Sequence, residues 1–266
     1  MWLALVSVSQ LQDVPSKQML LLVGPPGSGK STFCKETALK SIIFKPVIYM
    51  ITESTSLEIS ESFKQRGLGG DLPHPLRFID AFRETVGLTS LASPDTVYAS
   101  YEDLTSLNIA ILTMLERVGE NALVVFDSLT SPYLMNGSEV LRFIRTTLLR
   151  LVVEGNAVLA SIDEGCGKAE DLVAMMSLAN GIIKIEKEQG ARLFNVVKHP
   201  KLRPIRIEVP LEPEQVESKP AMMAIYSSPN YADAAKKFFE SFAGGEVALR
   251  SETGDFVNLF WPNFAH

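Results

Sequence analysis

Gly24-Pro25-Pro26-Gly27-Ser28-Gly29-Lys30-Ser31 follows directly on the apolar run Met19–Val23 and precedes a helix-like stretch. The eight residues fit G-x-x-x-x-G-K-[ST], a pattern that composition alone produces in roughly one chain in a hundred of this length. Each residue type has a reason. Glycines let the backbone turn so that successive N–H groups face inward, and no Cβ blocks a phosphate. A helix starting near Gly29 adds its positive end. Lys30 reaches the β- and γ-phosphates as a mobile point charge, and the Ser31 hydroxyl offers an oxygen to Mg²⁺. Residues 24 to 31, with Thr32 after them, are the expected binding loop for a nucleoside triphosphate. The alternative is a glycine-rich turn with no ligand, but a bare turn needs no lysine–serine pair.

Around the loop, short apolar runs alternate with helical patterns. Val47–Ile51, Leu76–Ile79, Ala122–Phe126 and Ala157–Ser161 lack polar alternation and read as strands buried on both faces. Leu104, Leu107, Ile111, Met114 and Val118 form one helical stripe, as do Val140, Ile144, Leu148 and Leu151. Strand–helix–strand alternation gives a mostly parallel sheet with helices on both faces, an α/β fold. Beyond residue 180 the pattern changes. Ile182–Lys187 and Arg192–Lys198 read as a hairpin, and Pro204–Val209 as a half-exposed strand, so one sheet edge is antiparallel. Pro210, Pro213, Pro220 and Pro229 mark a connecting segment. The expected organisation is a domain over residues 1–212 and a C-terminal appendage over 213–266. That appendage has one short helix, capped by Ser228 and ended by Gly244–Gly245, and an aromatic tail.

Two acids stand at strand ends. Leu123-Val124-Val125-Phe126-Asp127 is an apolar strand ending in a carboxylate, placed to organise Mg²⁺ with Ser31; the alternative is a helix cap. Glu53 ends the second strand. At the same sheet end it would orient or deprotonate an attacking water; otherwise it begins a helix beside Ser54 and Thr55. Ser161, ending the fifth strand, is a weaker candidate for sensing the γ-phosphate.

Composition bounds the rest. Of 266 residues, 46% are hydrophobic and 21% charged, which excludes a disordered chain. A net charge of −6 argues against broad nucleic-acid binding. Two isolated cysteines, Cys34 and Cys166, suit neither a disulfide framework nor a zinc site, so a reducing, cytoplasmic setting is expected. Met1–Val8 is too short to span a bilayer, and a first strand joining the main sheet is the reading adopted.

Four stretches together resemble the RecA/RadA/KaiC superfamily of ATPases, the KaiC-like branch in particular. They are Val14-Pro15-Ser16-Lys17-Gln18, the loop, Thr52-Glu53-Ser54, and Val125-Phe126-Asp127-Ser128-Leu129-Thr130. A fifth, from Asn180-Gly181-Ile182-Ile183 to Lys198, is similar to the closing hairpin of those domains. The resemblance implies a RecA-type core, ATP and Mg²⁺ as ligands, catalysis by Lys30 and Glu53, and assembly into a ring or filament with ATP near a subunit interface. Many KaiC-like domains carry two adjacent glutamates where this chain has Glu53-Ser54, so slow turnover is expected. The family's lysine-x-arginine finger, which acts on a neighbour's γ-phosphate, falls on Lys198. Position 200 is proline, and Lys201-Leu202-Arg203 follows, so Lys198, Lys201 and Arg203 are the finger candidates; the alternative is a solvated basic strand edge. The expected function is a slow ATPase whose nucleotide state controls assembly or partner binding, with no membrane. Two rivals are a RadA-like recombination ATPase binding single-stranded DNA and an ATP-binding switch without hydrolysis.

Overall fold

The computed structural model describes residues 7–68, 72–89, 93–188 and 190–210, and the backbone of 247–250 and 256–259. The chain divides into two compact units, Met1–Pro210 and Leu211–His266.

In the first unit, a short helix α1 (Val8–Leu11) leads to β1 (Met19–Gly24) and α2 (Lys30–Ser41). Then come β2 (Val47–Ile51), α3 (Ser56–Gln65), β3 (Leu76–Asp80), β4 (Thr96–Tyr98) and α4 (Leu104–Val118). β5 (Leu123–Asp127) is followed by α5 (Thr130–Asn136), α6 (Glu139–Phe143), a π-helical turn (Ile144–Leu148) and α7 (Leu149–Val153). β6 (Ala157–Asp163), α8 (Ala169–Leu178), β7 (Gly181–Glu188), β8 (Ala191–Lys198) and β9 (Ile205–Pro210) complete it.

Nine strands form one sheet in the order β4-β3-β2-β5-β6-β1-β7-β8-β9. Pairing is parallel from β4 through β7. The β7–β8 hairpin and β9 add the antiparallel edge. Every residue of β1, β2 and β5 is buried, as continuous apolar runs require in a sheet covered on both faces. Period-two alternation divides the core. Met19, Leu21 and Val23 pack on the face carrying α4 to α8, and Leu20 and Leu22 on the face carrying α2 and α3.

The start of the chain differs from expectation. Val8 begins a helix instead of ending a strand, because Ser7 and Gln10 form a reciprocal capping box that sets a helical turn. The rest of the expected first strand, residues 1–6, lies outside the described residues. The strand β4 gave no clear apolar run; three residues at an edge need little burial. The helix predicted over residues 140–151 forms as α6, the π turn and α7, and its stripe Val140, Ile144, Leu148 and Leu151 is buried as drawn.

In the second unit, β10 (Val247–Arg250) and β11 (Phe256–Leu259) pair antiparallel, so part of the aromatic tail is extended. The helix expected between Ser228 and Gly244 lies outside the described residues.

Candidate functional site

β1 delivers the chain to Gly24, and α2 takes it up again at Lys30. A side chain at Gly24 is impossible without rearrangement, since a Cβ there would stand 2.1 Å from the Ile185 carbonyl oxygen. Gly27 and Gly29 have φ of 75° and 100°, left-handed values that glycine adopts without strain. The turn therefore closes around the Lys30 ammonium. Lys30 Nζ donates to Gly24 O and Pro25 O, both at 2.8 Å, and pairs with Asp163 Oδ1 at 2.6 Å.

Asp127 ends β5 beside β2, in register with Ile51. The Tyr49 hydroxyl donates to its Oδ2, while Oδ1 is buried without a hydrogen-bond partner. Burial raises the Asp127 pKa; the Tyr49 and Ser31 hydroxyls and the nearby Lys35 and Lys30 charges oppose the rise. An orphaned, buried carboxylate oxygen with a serine hydroxyl close by is a hard-oxygen donor set and fits Mg²⁺. Among the described residues no group of three or more His, Cys, Asp or Glu could hold a metal on its own. A Mg²⁺ here would rely on water and phosphate for its remaining ligands.

The chain after Asp127 turns sharply. Ser128 has φ 106°, an uncommon conformation for a residue with a side chain. The buried Thr52 hydroxyl holds this turn by donating to Ser128 O at 2.9 Å. Glu53, the next residue, is reachable from solvent, yet its carboxyl is raised above its ordinary pKa. Partial burial is the main cause, the Asp127 and Asp163 charges add to it, and the Ser128 hydroxyl and Lys30 oppose it. Glu53, Asp127, Asp163 and Lys30 thus share one electrostatic neighbourhood at the carboxyl end of the parallel strands. Ser161 lies on β6 opposite Leu22 of β1, fully buried, with its hydroxyl unpartnered.

Two residues here were not singled out in the sequence. Asp163 ends β6, opposite Gly24 of β1. Arg192 of β8 lays its guanidinium over the loop, so that a Cβ on Gly29 would fall 2.5 Å from it; its Nε is buried without a partner. The alternation of β8 carried a usable signal. Phe194 packs on Phe33 of α2 at 5.8 Å between ring centroids, and a period of two places Arg192 on the same face, one step nearer the loop.

The basic residues 198–203 lie elsewhere. β8 runs antiparallel to β7, so Lys198 opposes Ile182 near the start of β7, at the sheet end away from the loop. Lys198 Nζ donates to Ala179 O at 2.9 Å, Lys201 pairs with Asp13 at 2.8 Å, and Arg203 is exposed.

A family model described as the KaiC ATPase matches residues 9–213. Among solved structures, a KaiC-like protein from the hyperthermophilic archaeon Pyrococcus horikoshii OT3 superposes with a TM-score of 0.54 at 17% identity, covering 75% of this chain and 87% of that one. This likeness shows a shared fold. No curated protein sequence matches the chain. Among the described residues no helix is long and apolar enough to cross a membrane.

Proposed function

The chain belongs to the KaiC family of ATPases, and from that premise we propose a Mg²⁺-dependent ATP-binding protein that hydrolyses ATP slowly and uses its nucleotide state to control assembly or partner binding. The observation that carries this reading is the closure of the 24–29 turn around the Lys30 ammonium, with Ser31 and the orphaned Asp127 oxygen beside it.

In this reading the backbone N–H groups of residues 27–32 hold the phosphates, Pro25 and Pro26 having none to give, and Lys30 neutralises charge on the β- and γ-phosphates. Arg192 adds a second cation over the loop. Ser31 and Asp127 hold Mg²⁺, which supplies charge neutralisation across the phosphates when bound. Glu53 orients the attacking water and accepts its proton; its raised pKa makes it a better base than an ordinary surface glutamate. Ser54, in place of a second acid, leaves Glu53 without a carboxylate neighbour in sequence, in keeping with slow turnover. Lys198, Lys201 and Arg203, at the opposite sheet end, are the residues we propose to act on the nucleotide of a neighbouring copy.

Titration calorimetry and phosphate release test the reading. Lys30→Ala is expected to weaken ATP binding at least about a hundredfold, the loss of charge-assisted bonds worth about 3 kcal/mol. Unchanged affinity in that variant refutes the loop assignment. Binding without phosphate release from the wild type would identify a switch instead of an ATPase.

A further inference from the structure

Asp163 stands where a phosphate site has no obvious use for an acid. An ammonium has three N–H donors, and those of Lys30 meet Gly24 O, Pro25 O and the Asp163 carboxylate. The two carbonyls belong to the loop itself. Asp163 is the only anion among the three. A terminal phosphate must take one donor, and it cannot share the same contact with a carboxylate without bringing like charges together.

We infer that Asp163 is a built-in competitor for the polyphosphate: its carboxylate and the incoming phosphates exclude each other at Lys30, and nucleotide binding turns the Asp163 side chain away and shifts the turn that follows Glu164. This rests on the nucleotide-binding reading above.

The backbone restricts how Asp163 can yield. Its N–H donates to the Thr130 hydroxyl at 2.8 Å, and the Glu164 N–H donates to Gly24 O at 3.0 Å. β6 is held in register with β1 up to this residue. The strand stays put and the side chain rotates. Asp163 also lines a pocket of about 430 Å³ whose other walls include Cys166, Lys168, Met176 and Lys184. That pocket offers the displaced carboxylate the Lys168 ammonium, while the Lys184 ammonium pairs with Glu164 at 3.1 Å. Gly165, with φ 82°, gives the turn its freedom, while its far end is anchored: a Cβ on Gly167 would fall 1.9 Å from the Tyr133 ring, and the Lys168 N–H donates to the Tyr133 hydroxyl at 3.2 Å. The competition couples occupancy of the loop to the charge and shape of this pocket.

The test uses the full chain. Mg²⁺–ATP binding is titrated calorimetrically for the wild type, Asp163→Asn and Asp163→Ala, with circular dichroism as a check on folding. Both variants are expected to bind roughly tenfold tighter, the alanine at least as much as the asparagine, since one charged hydrogen bond no longer has to be broken. The second measurement is the rate at which a thiol reagent modifies Cys166. This residue is part of the moving turn and partly exposed, while Cys34 is fully buried. ATP is expected to change that rate in the wild type and leave it unchanged in Asp163→Ala, with Cys166→Ser identifying the signal. If the wild type binds ATP but neither variant binds it more tightly, the competition is refuted while the nucleotide reading stands. If nucleotide does not alter the Cys166 rate in the wild type, the movement of the turn is refuted. If the wild type binds no nucleotide, both readings fall.

Discussion

At the scale of single residues, the site is a set of charges whose environments differ. Glu53 has a carboxyl pKa raised above the ordinary value, chiefly by burial. A base must be deprotonated to work, so hydrolysis should fall as pH drops through that raised pKa. Its acid limb should lie above the range of a free glutamate. Glu53→Gln is expected to keep ATP binding and lose at least about a hundredfold in phosphate release, with the acid limb abolished. Asp127 is also raised by burial. The folded protein therefore holds this proton more tightly than the unfolded chain does. The associated stability is present at low pH and is lost as pH rises through the shifted pKa. Asp127→Asn, measured at neutral pH without Mg²⁺, should raise the midpoint of chemical unfolding, because it removes a buried charge. The same variant should lose the extra stability that Mg²⁺–ATP gives the wild type.

At the scale of elements, close backbone approaches hold the loop in place. Gly24 closes β1 against β7, where a Cβ would stand 2.1 Å from a backbone oxygen that cannot swing aside. Gly24→Ala should destabilise the protein by about 2 kcal/mol or more, read from the urea midpoint. The elements themselves were largely legible in the sequence. β1, β2, β5 and β6 are continuous apolar runs because both faces of the sheet are covered, and α4 shows its stripe because only one face is. Short pieces set by local capping or by an edge position, α1 and β4, left little pattern to read. The candidate site was legible where one motif carries it, as in residues 24–31, and where a strand ends in an acid, as in Asp127. Asp163 and Arg192 were not, because they meet Lys30 and Gly29 only through pairings over more than 130 residues of chain. The alternation of β8 gives the face on which Arg192 lies, and an acid at a strand end flags Asp163, but neither names the partner.

At the scale of the molecule, the sheet is polar in the geometric sense. The phosphate loop, Glu53 and Asp127 lie at one end, and Lys198 and Lys201 at the other. A contact that joins one end of a copy to the opposite end of the next is head-to-tail, so it builds rings or open filaments and never a self-complementary pair. Light scattering with and without Mg²⁺–ATP should show a rise in mass with nucleotide, absent in Lys30→Ala; a protein that stays monomeric throughout would rule out the assembly. The separation of the two ends has one more consequence. In the proposed head-to-tail assembly, a copy damaged at its loop would still present sound cations to its neighbour, and a copy stripped of those cations would still own a sound loop. Mixing Lys30→Ala with a variant neutralised at Lys198, Lys201 and Arg203, each silent alone, should restore part of the turnover, because every mixed junction of the right order pairs one intact half with another.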